Sequence, residues 1–166
     1  MKNKIYIFVV EDEPEVLDAI VRDLEEFETT FPIEMADSAE EARELIDALI
    51  NAGNEIGVIL CDHVLPGQNG VDLMVEMQND PKTSRARKVL ITGQAGLDET
   101  VRAVNEADLQ HYIAKPWEKS DLVEPTRKFM TDYVLKWANN PMEYMSVLDG
   151  QRIADYIRKG KGITDN

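Results

Sequence analysis

Two hydrophobic periods alternate along this chain. Ile5–Val10 is an unbroken apolar run rich in β-branched residues, the pattern of a strand covered on both faces. Pro14 then stands near a helix start, and Val16, Leu17, Ile20, Val21, Leu24 and Phe27 recur on one helical stripe. Ile33–Ala36 reads as a second, weaker strand. Ser38 with Glu41 three residues on forms a capping box, and Ala42, Leu45, Ile46 and Leu49 give the next helix its apolar face until Gly53 closes it. Residues 57–61 (GVILC) predict a third buried strand. After a loop over 62–70 comes a helix through about Gln78, stopped before Pro81. Residues 82–88 read as a polar, locally basic loop and 89–92 as the fourth strand. Residues 98–107 predict a short helix with Val101 and Val104 facing in, and 109–114 the fifth strand.

Strands and helices of these lengths in strict alternation predict a doubly wound α/β domain over residues 1–130, with a parallel sheet, right-handed crossovers and helices on both faces. The remainder, residues 131–166, breaks the rhythm. Ser120 is a candidate cap for a helix running through Phe129, Met130, Tyr133, Val134 and Trp137, with Pro125 bending it or delaying its start. Asn139-Asn140-Pro141 ends that helix, and 142–159 is helical again with a break near Asp149-Gly150. Only 28 residues follow from Asn139 onward. A unit that short, without disulfide or metal, holds no core of its own and must pack on the main domain or on another chain. The expectation is a helical extension that docks on the fifth helix or forms a homodimer through it.

Composition narrows the functions. With 43% hydrophobic residues the chain can bury a real core. Its 32 acidic residues against 18 basic leave a net charge of −14, which repels phosphate backbones and anionic lipid, so direct nucleic-acid and membrane partners are set aside. From Met130 onward five acids face five bases, so the extension lacks the basic stripe of a DNA reader. Cys61 stands alone and reads as a buried small hydrophobe. The first apolar run ends after six residues in Glu11-Asp12-Glu13, too short for a secretion signal or a span, which predicts a soluble, cytoplasmic protein.

The candidate chemistry lies where the strands end. In an open parallel sheet, ligands bind beyond the carboxyl ends of the strands. The first strand ends in Glu11-Asp12, the third in Asp62, the fourth in Thr92 and the fifth in Lys115-Pro116. Each has an ordinary reading alone, as a turn former, a strand residue or a solvated lysine. Together, three carboxylates on one rim would raise one another's pKa and destabilise the fold. A hard divalent cation removes the conflict. Mg²⁺ takes oxygen ligands, and with Lys115 it neutralises Glu11, Asp12 and Asp62 before any phosphoryl group arrives. Phosphoryl transfer onto a carboxylate follows, with Asp62 as nucleophile. Glu11, Asp12 and the backbone carbonyl of Val64 would complete the metal site, and Lys115 and the Thr92 hydroxyl would each meet one phosphoryl oxygen.

The segments Val10-Glu11-Asp12-Glu13, Leu60-Cys61-Asp62-His63-Val64-Leu65-Pro66-Gly67, Leu90-Ile91-Thr92-Gly93 and Tyr112-Ile113-Ala114-Lys115-Pro116-Trp117 closely resemble the receiver domain of two-component response regulators. The resemblance covers about residues 1–130 and includes the strand ends in order. It implies a flavodoxin-like sheet of order 2-1-3-4-5, a phosphoacceptor at Asp62, an acidic metal pair at Glu11 and Asp12 with Mg as cofactor, a switch threonine at Thr92, and Lys115 before a cis-proline candidate, Pro116. The first acid is Glu where Asp is more usual, so Glu11 has the length to reach a metal through water. Gly93, after the threonine, leaves access to Asp62 open. The resemblance also implies a histidine kinase or phosphotransfer protein as phosphodonor and an unknown downstream protein target. In the implied switch, Thr92 moves toward the phosphoryl group and Tyr112 turns inward, remodelling the surface of helix four, strand five and helix five. Tyr112 has a second reading, a half-buried strand aromatic with its hydroxyl in water, and the sequence leaves both open.

His63, His111 and the basic loop around Lys82, Arg85, Arg87 and Lys88 receive no catalytic role. Val64 and Gln94 flank the expected path of water attacking an acyl phosphate. Two other functions compete: a receiver-like scaffold that is never phosphorylated, and an Asp-nucleophile phosphatase. The second is disfavoured because haloacid dehalogenase-type enzymes usually carry an acid/base Asp two residues after the nucleophile, where this chain has Val64. The expectation is a signalling protein rather than an enzyme that turns over external substrates.

Overall fold

The computed structural model describes residues 3–93 and 96–164. In chain order the elements are β1 Ile5–Val10, α1 Pro14–Asp23, a 3₁₀ turn Glu25–Phe27, β2 Ile33–Ala36, α2 Ala39–Asn51, β3 Glu55–Asp62, α3 Gly70–Asn79, β4 Arg87–Thr92, α4 Leu97–Ala107, β5 His111–Ala114, α5 Lys119–Trp137, a second 3₁₀ turn Pro141–Tyr144, and α6 Gly150–Thr164. The strands form one parallel sheet in the order β2-β1-β3-β4-β5, the doubly wound arrangement the alternation implied.

Because successive strand side chains point to opposite faces, the sheet feeds two cores. Ile7, Val9, Val58, Leu60, Val89 and Ile91 meet α1 and α5, with Phe27, Phe31, Met130 and Tyr133 as the bulky members. Phe8, Val10, Ile59, Cys61 and Leu90 meet α2, α3 and α4. The extension joins the first core: Leu148 and Ile153 are buried in it, and the Tyr144 ring stacks on Phe31 with centroids 5.2 Å apart. Arg127 on α5 donates to the Val147 carbonyl at 2.6 Å, and Arg152 on α6 pairs with Asp132 on α5 at 2.7 Å.

β3 carries one extra residue opposite the Tyr6–Ile7 step of β1, and Gly57 falls at that irregularity. A Cβ there would lie 2.5 Å from Met130 Sδ and 2.9 Å from Ile5 Cγ2, so its missing side chain lets α5 lie close on the sheet.

Several boundaries differ from the sequence reading. The α1 stripe divides, because the helix ends at Asp23 and the 3₁₀ turn carries Phe27 into the core. Glu41 closes its cap on the Asp37 N–H rather than on Ser38, while the Ser38 hydroxyl accepts from the Glu41 N–H as expected. β3 begins at Glu55, and β4 takes in Arg87 and Lys88 from the expected loop. Lys88 is fully buried, its ammonium donating to Gln78 Oε1 at 2.8 Å and the Ala86 carbonyl at 3.0 Å. α5 starts at Lys119 with Glu118 and Asp121 forming its capping box, so Ser120 lies inside the helix, which continues through Pro125.

Val101 and Val104 do not face in. They are 46% and 51% exposed, Leu97 is 79% exposed, and α4 buries Ala103 and Ala107 instead. At 100° per residue the two alanines lie between about 60° and 160° from the larger residues. In that rotation the Arg102 guanidinium lies 2.5 Å from Asp72 on α3.

Candidate functional site

Strand register assembles the rim. Val10 pairs with Cys61 and Cys61 with Leu90, so Glu11 and Asp62 follow side by side, with Thr92 one position beyond the Asp62–Ile91 pair. Thr92 pairs with Ala114, which brings Lys115 to the same edge. Donor oxygens of Glu11, Asp12 and Asp62 lie within 4.8 Å of one another. Asp12, Glu13, Asp62, Val64, Thr92, Gly93 and Lys115 line an open pocket of about 230 Å³.

Lys115 holds the carboxylates together. Its Nζ donates to Glu11 Oε1 at 2.7 Å and to Asp62 Oδ2 at 3.0 Å. Burial works against the ammonium charge, but these two hydrogen bonds and the two negative charges outweigh it and push the Lys115 pKa up. Glu11 is 1% exposed, and burial with the adjacent Asp62 charge raises its pKa against the opposing Lys115 and Glu13 N–H contacts. Its second oxygen accepts from the Glu13 N–H at 3.1 Å. Asp62 Oδ1 accepts a longer bond, 3.4 Å, from the Val64 N–H. Among the described residues the groups placed to ligate an ion are three carboxylates, and the neighbouring Cys61 thiol instead points at the Asp62 and Gly70 carbonyls. Burial, then the Asp62 and Glu11 charges, push that thiol's pKa far up, so it offers no thiolate. An oxygen-only set of three carboxylates fits a hard divalent cation such as Mg²⁺.

Thr92 is 2% exposed and lines the pocket. Its carbonyl accepts from the Tyr112 hydroxyl at 3.1 Å and from the Lys115 N–H at 3.3 Å. The Tyr112 hydroxyl is thereby tied to the strand that ends in Thr92. The Lys115–Pro116 peptide is cis. Trp117, just beyond, donates from Nε1 to Asp23 on α1 at 2.9 Å, bracing the β5–α5 loop. Gln94 lies outside the described residues.

One contributor escaped the sequence reading. Gly70 opens α3 directly against the backbone of Asp62: a Cβ would enter the van der Waals shell of the Asp62 carbonyl oxygen and lie 2.7 Å from Cys61 Sγ. Its N–H closes the loop by donating to the His63 carbonyl at 2.8 Å. A glycine immediately after the Asn69 cap was the available signal. His63 itself reaches toward α4, with Nε2 3.6 Å from Glu99 Oε2.

Comparison with known proteins agrees with this geometry. The family model described as response regulator receiver domain matches residues 7–127. A hydrogenase transcriptional regulatory protein, HoxA, from Cupriavidus necator is 32% identical over 122 residues, 74% of this chain and 23% of that protein. A second HoxA, from Bradyrhizobium diazoefficiens, is 25% covered, so the chain spans about a quarter of the length of these curated relatives. The chemotaxis protein CheY1 of Helicobacter pylori is 32% identical over 89 residues, 54% of this chain and 68% of that protein. Among solved structures, a CheY-like receiver domain protein from Methanospirillum hungatei superposes with a TM-score of 0.69 at 25% identity, covering 82% of this chain and all of that one. A signal receiver domain from Pseudomonas fluorescens gives 0.70 at 20% identity, a likeness of fold, covering 82% of this chain and 93% of that one. Because the family matches residues 7–127, which take in the rim residues from Glu11 to Lys115, this chain belongs to the receiver domains of two-component response regulators.

Proposed function

We propose that the chain accepts a phosphoryl group on Asp62 from a histidine kinase or phosphotransfer protein, in the cytoplasm, and uses it to change the surface formed by α4, β5 and α5. The observation that carries this reading is the Lys115 ammonium bridging Glu11 and Asp62 in a pocket that also holds Asp12 and Thr92. Glu11, Asp12, Asp62 and the Val64 carbonyl would hold Mg²⁺, which when bound supplies positive charge beside the phosphoryl oxygens. An Asp62 oxygen attacks phosphorus as the bond to the donor's imidazole nitrogen breaks. The bonding pair leaves with that nitrogen, and the product is an acyl phosphate. Lys115 then exchanges a carboxylate oxygen for a phosphoryl oxygen, and the Thr92 hydroxyl meets another.

Movement of Thr92 alters the strand whose carbonyl holds the Tyr112 hydroxyl, so Tyr112 is the residue through which the change reaches β5. Phosphorylation then favours one of two arrangements of this surface and shifts their populations. Turnover of external substrates is disfavoured because Val64, two residues after Asp62, offers no acid or base. The extension's apolar residues pack on the chain's own α5, which favours an internal brace over a dimer arm.

Intact-mass measurement after incubation with Mg²⁺ and a small phosphodonor tests the reading. One phosphoryl adduct on the wild-type chain and none on Asp62→Asn is expected. An adduct that persists in Asp62→Asn, or none on the wild type, overturns it, the latter in favour of an unphosphorylated scaffold.

A further inference from the structure

At the opposite end of the sheet from the phosphoacceptor, the start of β4, the last turns of α5 and the first turns of α6 enclose an open groove of about 400 Å³. It is lined by Arg87, Asp132, Leu135, Lys136, Arg152 and Tyr156. Three cations thus meet one carboxylate in a chain whose net charge is −14. Asp132 is already taken by Arg152 at 2.7 Å. Among the described residues neither Arg87 nor Lys136 has an ion-pair partner, and the buried Arg87 Nε has no hydrogen-bond acceptor. Arg87 and Lys136 both line the groove, so an incoming carboxylate would meet positive charge that no carboxylate among the described residues already neutralises. Arg85 adds charge nearby, stacked 4.0 Å above the Trp137 ring, with the Lys136 ammonium 5.2 Å from the same ring.

We propose that this groove docks an acidic segment of a partner protein, one carrying carboxylates beside an apolar side chain. Guanidinium forks suit carboxylates in paired hydrogen bonds, and Leu135 with the half-exposed Tyr156 ring gives an apolar residue a surface to cover. A lone phosphate would leave that apolar surface unused. A nucleic-acid strand would run past three cations onto an acidic chain. Arg87 begins the strand that Thr92 ends, so the groove lies a full strand length from the phosphorylation pocket and can hold a partner in either phosphorylation state.

The test is fluorescence anisotropy of a labelled peptide with four glutamates around a phenylalanine, titrated with the full chain and with Asp62→Asn. Using both keeps the outcome independent of whether Asp62 is phosphorylated. Binding to both is expected, weakening about tenfold in Lys136→Glu and in Arg87→Gln and falling with added salt. Lys136 is exposed on α5, so its variant should keep the wild-type melting temperature and remains informative if Arg87→Gln fails to fold. Equal binding of a glutamine-for-glutamate peptide, or no loss in Lys136→Glu, overturns the proposal. Displacement by inorganic phosphate at the peptide's own concentration would mark a small-anion site and overturn it. So would tighter binding of a single-stranded oligonucleotide.

Discussion

On the face that carries α1, α5 and α6, the sheet is covered by Phe27, Phe31, Met130, Tyr133, Leu148 and Ile153, whereas α4 on the other face joins the core through Ala103 and Ala107. Apolar stabilisation scales with area removed from water, so the first set of helices is held far more firmly than α4. That asymmetry suits a switch. If the α4–β5–α5 surface switches as proposed, α4, whose buried residues are two alanines and whose charged contacts are Arg102–Asp72 and His63–Glu99, is the part expected to shift most, with α5 held through the larger core. α4 also turns Leu97, Val101 and Val104 outward, so its movement would alter an apolar surface rather than a solvated polar one.

The largest effect should come from the firm face. Ile153 is 0% exposed in the core although it belongs to the extension. Ile153→Ala is expected to cost about 2–5 kcal/mol, the range for truncating a buried core aliphatic to alanine. Chemical denaturation monitored by circular dichroism measures it. A loss below about 1 kcal/mol would mean that α6 is held no better than α4, and the contrast would fail.

Next in size is a pH effect at the other core. Burial pushes the Lys88 ammonium down to about 8. Below that pH the amine is charged in both folded and unfolded chains, and its burial penalty is constant. Between about pH 8 and the ordinary lysine value near 10.5 the folded chain gives up the proton first. The unfolded chain then binds more protons and stability rises with pH. The full gain approaches about 3 kcal/mol. Tyr133, whose pKa is raised by burial and by its bond to Glu55, acts oppositely above about pH 10, so the usable window is pH 8 to 10. Stability of the wild type minus that of Lys88→Met should rise across this window. A flat difference would show that the Lys88 amine is solvated in the folded chain.

What the sequence disclosed and what it hid divide along the same line. Fully buried parallel strands are continuous apolar runs, so β1 was legible to the residue, and the rim acids follow directly from where such runs stop. Charged residues inside strands were not legible. Lys88 reads as loop because nothing in its immediate neighbours announces that Gln78 on α3 will receive its ammonium. Val101 and Val104 mislead because periodicity finds an apolar stripe without saying which stripe meets the core, and here the stripe of Ala103 and Ala107 meets it. Gly70 was missed because its role depends on a contact across the β3–α3 loop, which spacing alone does not encode.

Gly70→Ala sharpens the link between that loop and the pocket. The added methyl meets backbone, which cannot rotate away, so a cost of about 1–3 kcal/mol is expected, the usual range for overpacking. Because the clash is with the Asp62 carbonyl itself, phosphorylation by a small phosphodonor should slow even at temperatures where the variant is fully folded. Equal rates at matched folded fraction would show that α3 packs on Asp62 without positioning it.

The smallest effect is the most discriminating for α4. Val104 is half exposed, and Val104→Ser removes apolar surface that the folded chain leaves largely in water. The change in stability should stay within about 0.5 kcal/mol, as for other surface substitutions. The Ile153 and Val104 variants together then separate the two faces directly, since both start from β-branched aliphatics of similar size. A cost above about 1.5 kcal/mol for Val104→Ser would place that side chain in a packed environment. It would return α4 to the inward-facing rotation that its sequence pattern first suggested and remove the apolar surface from the proposed switch.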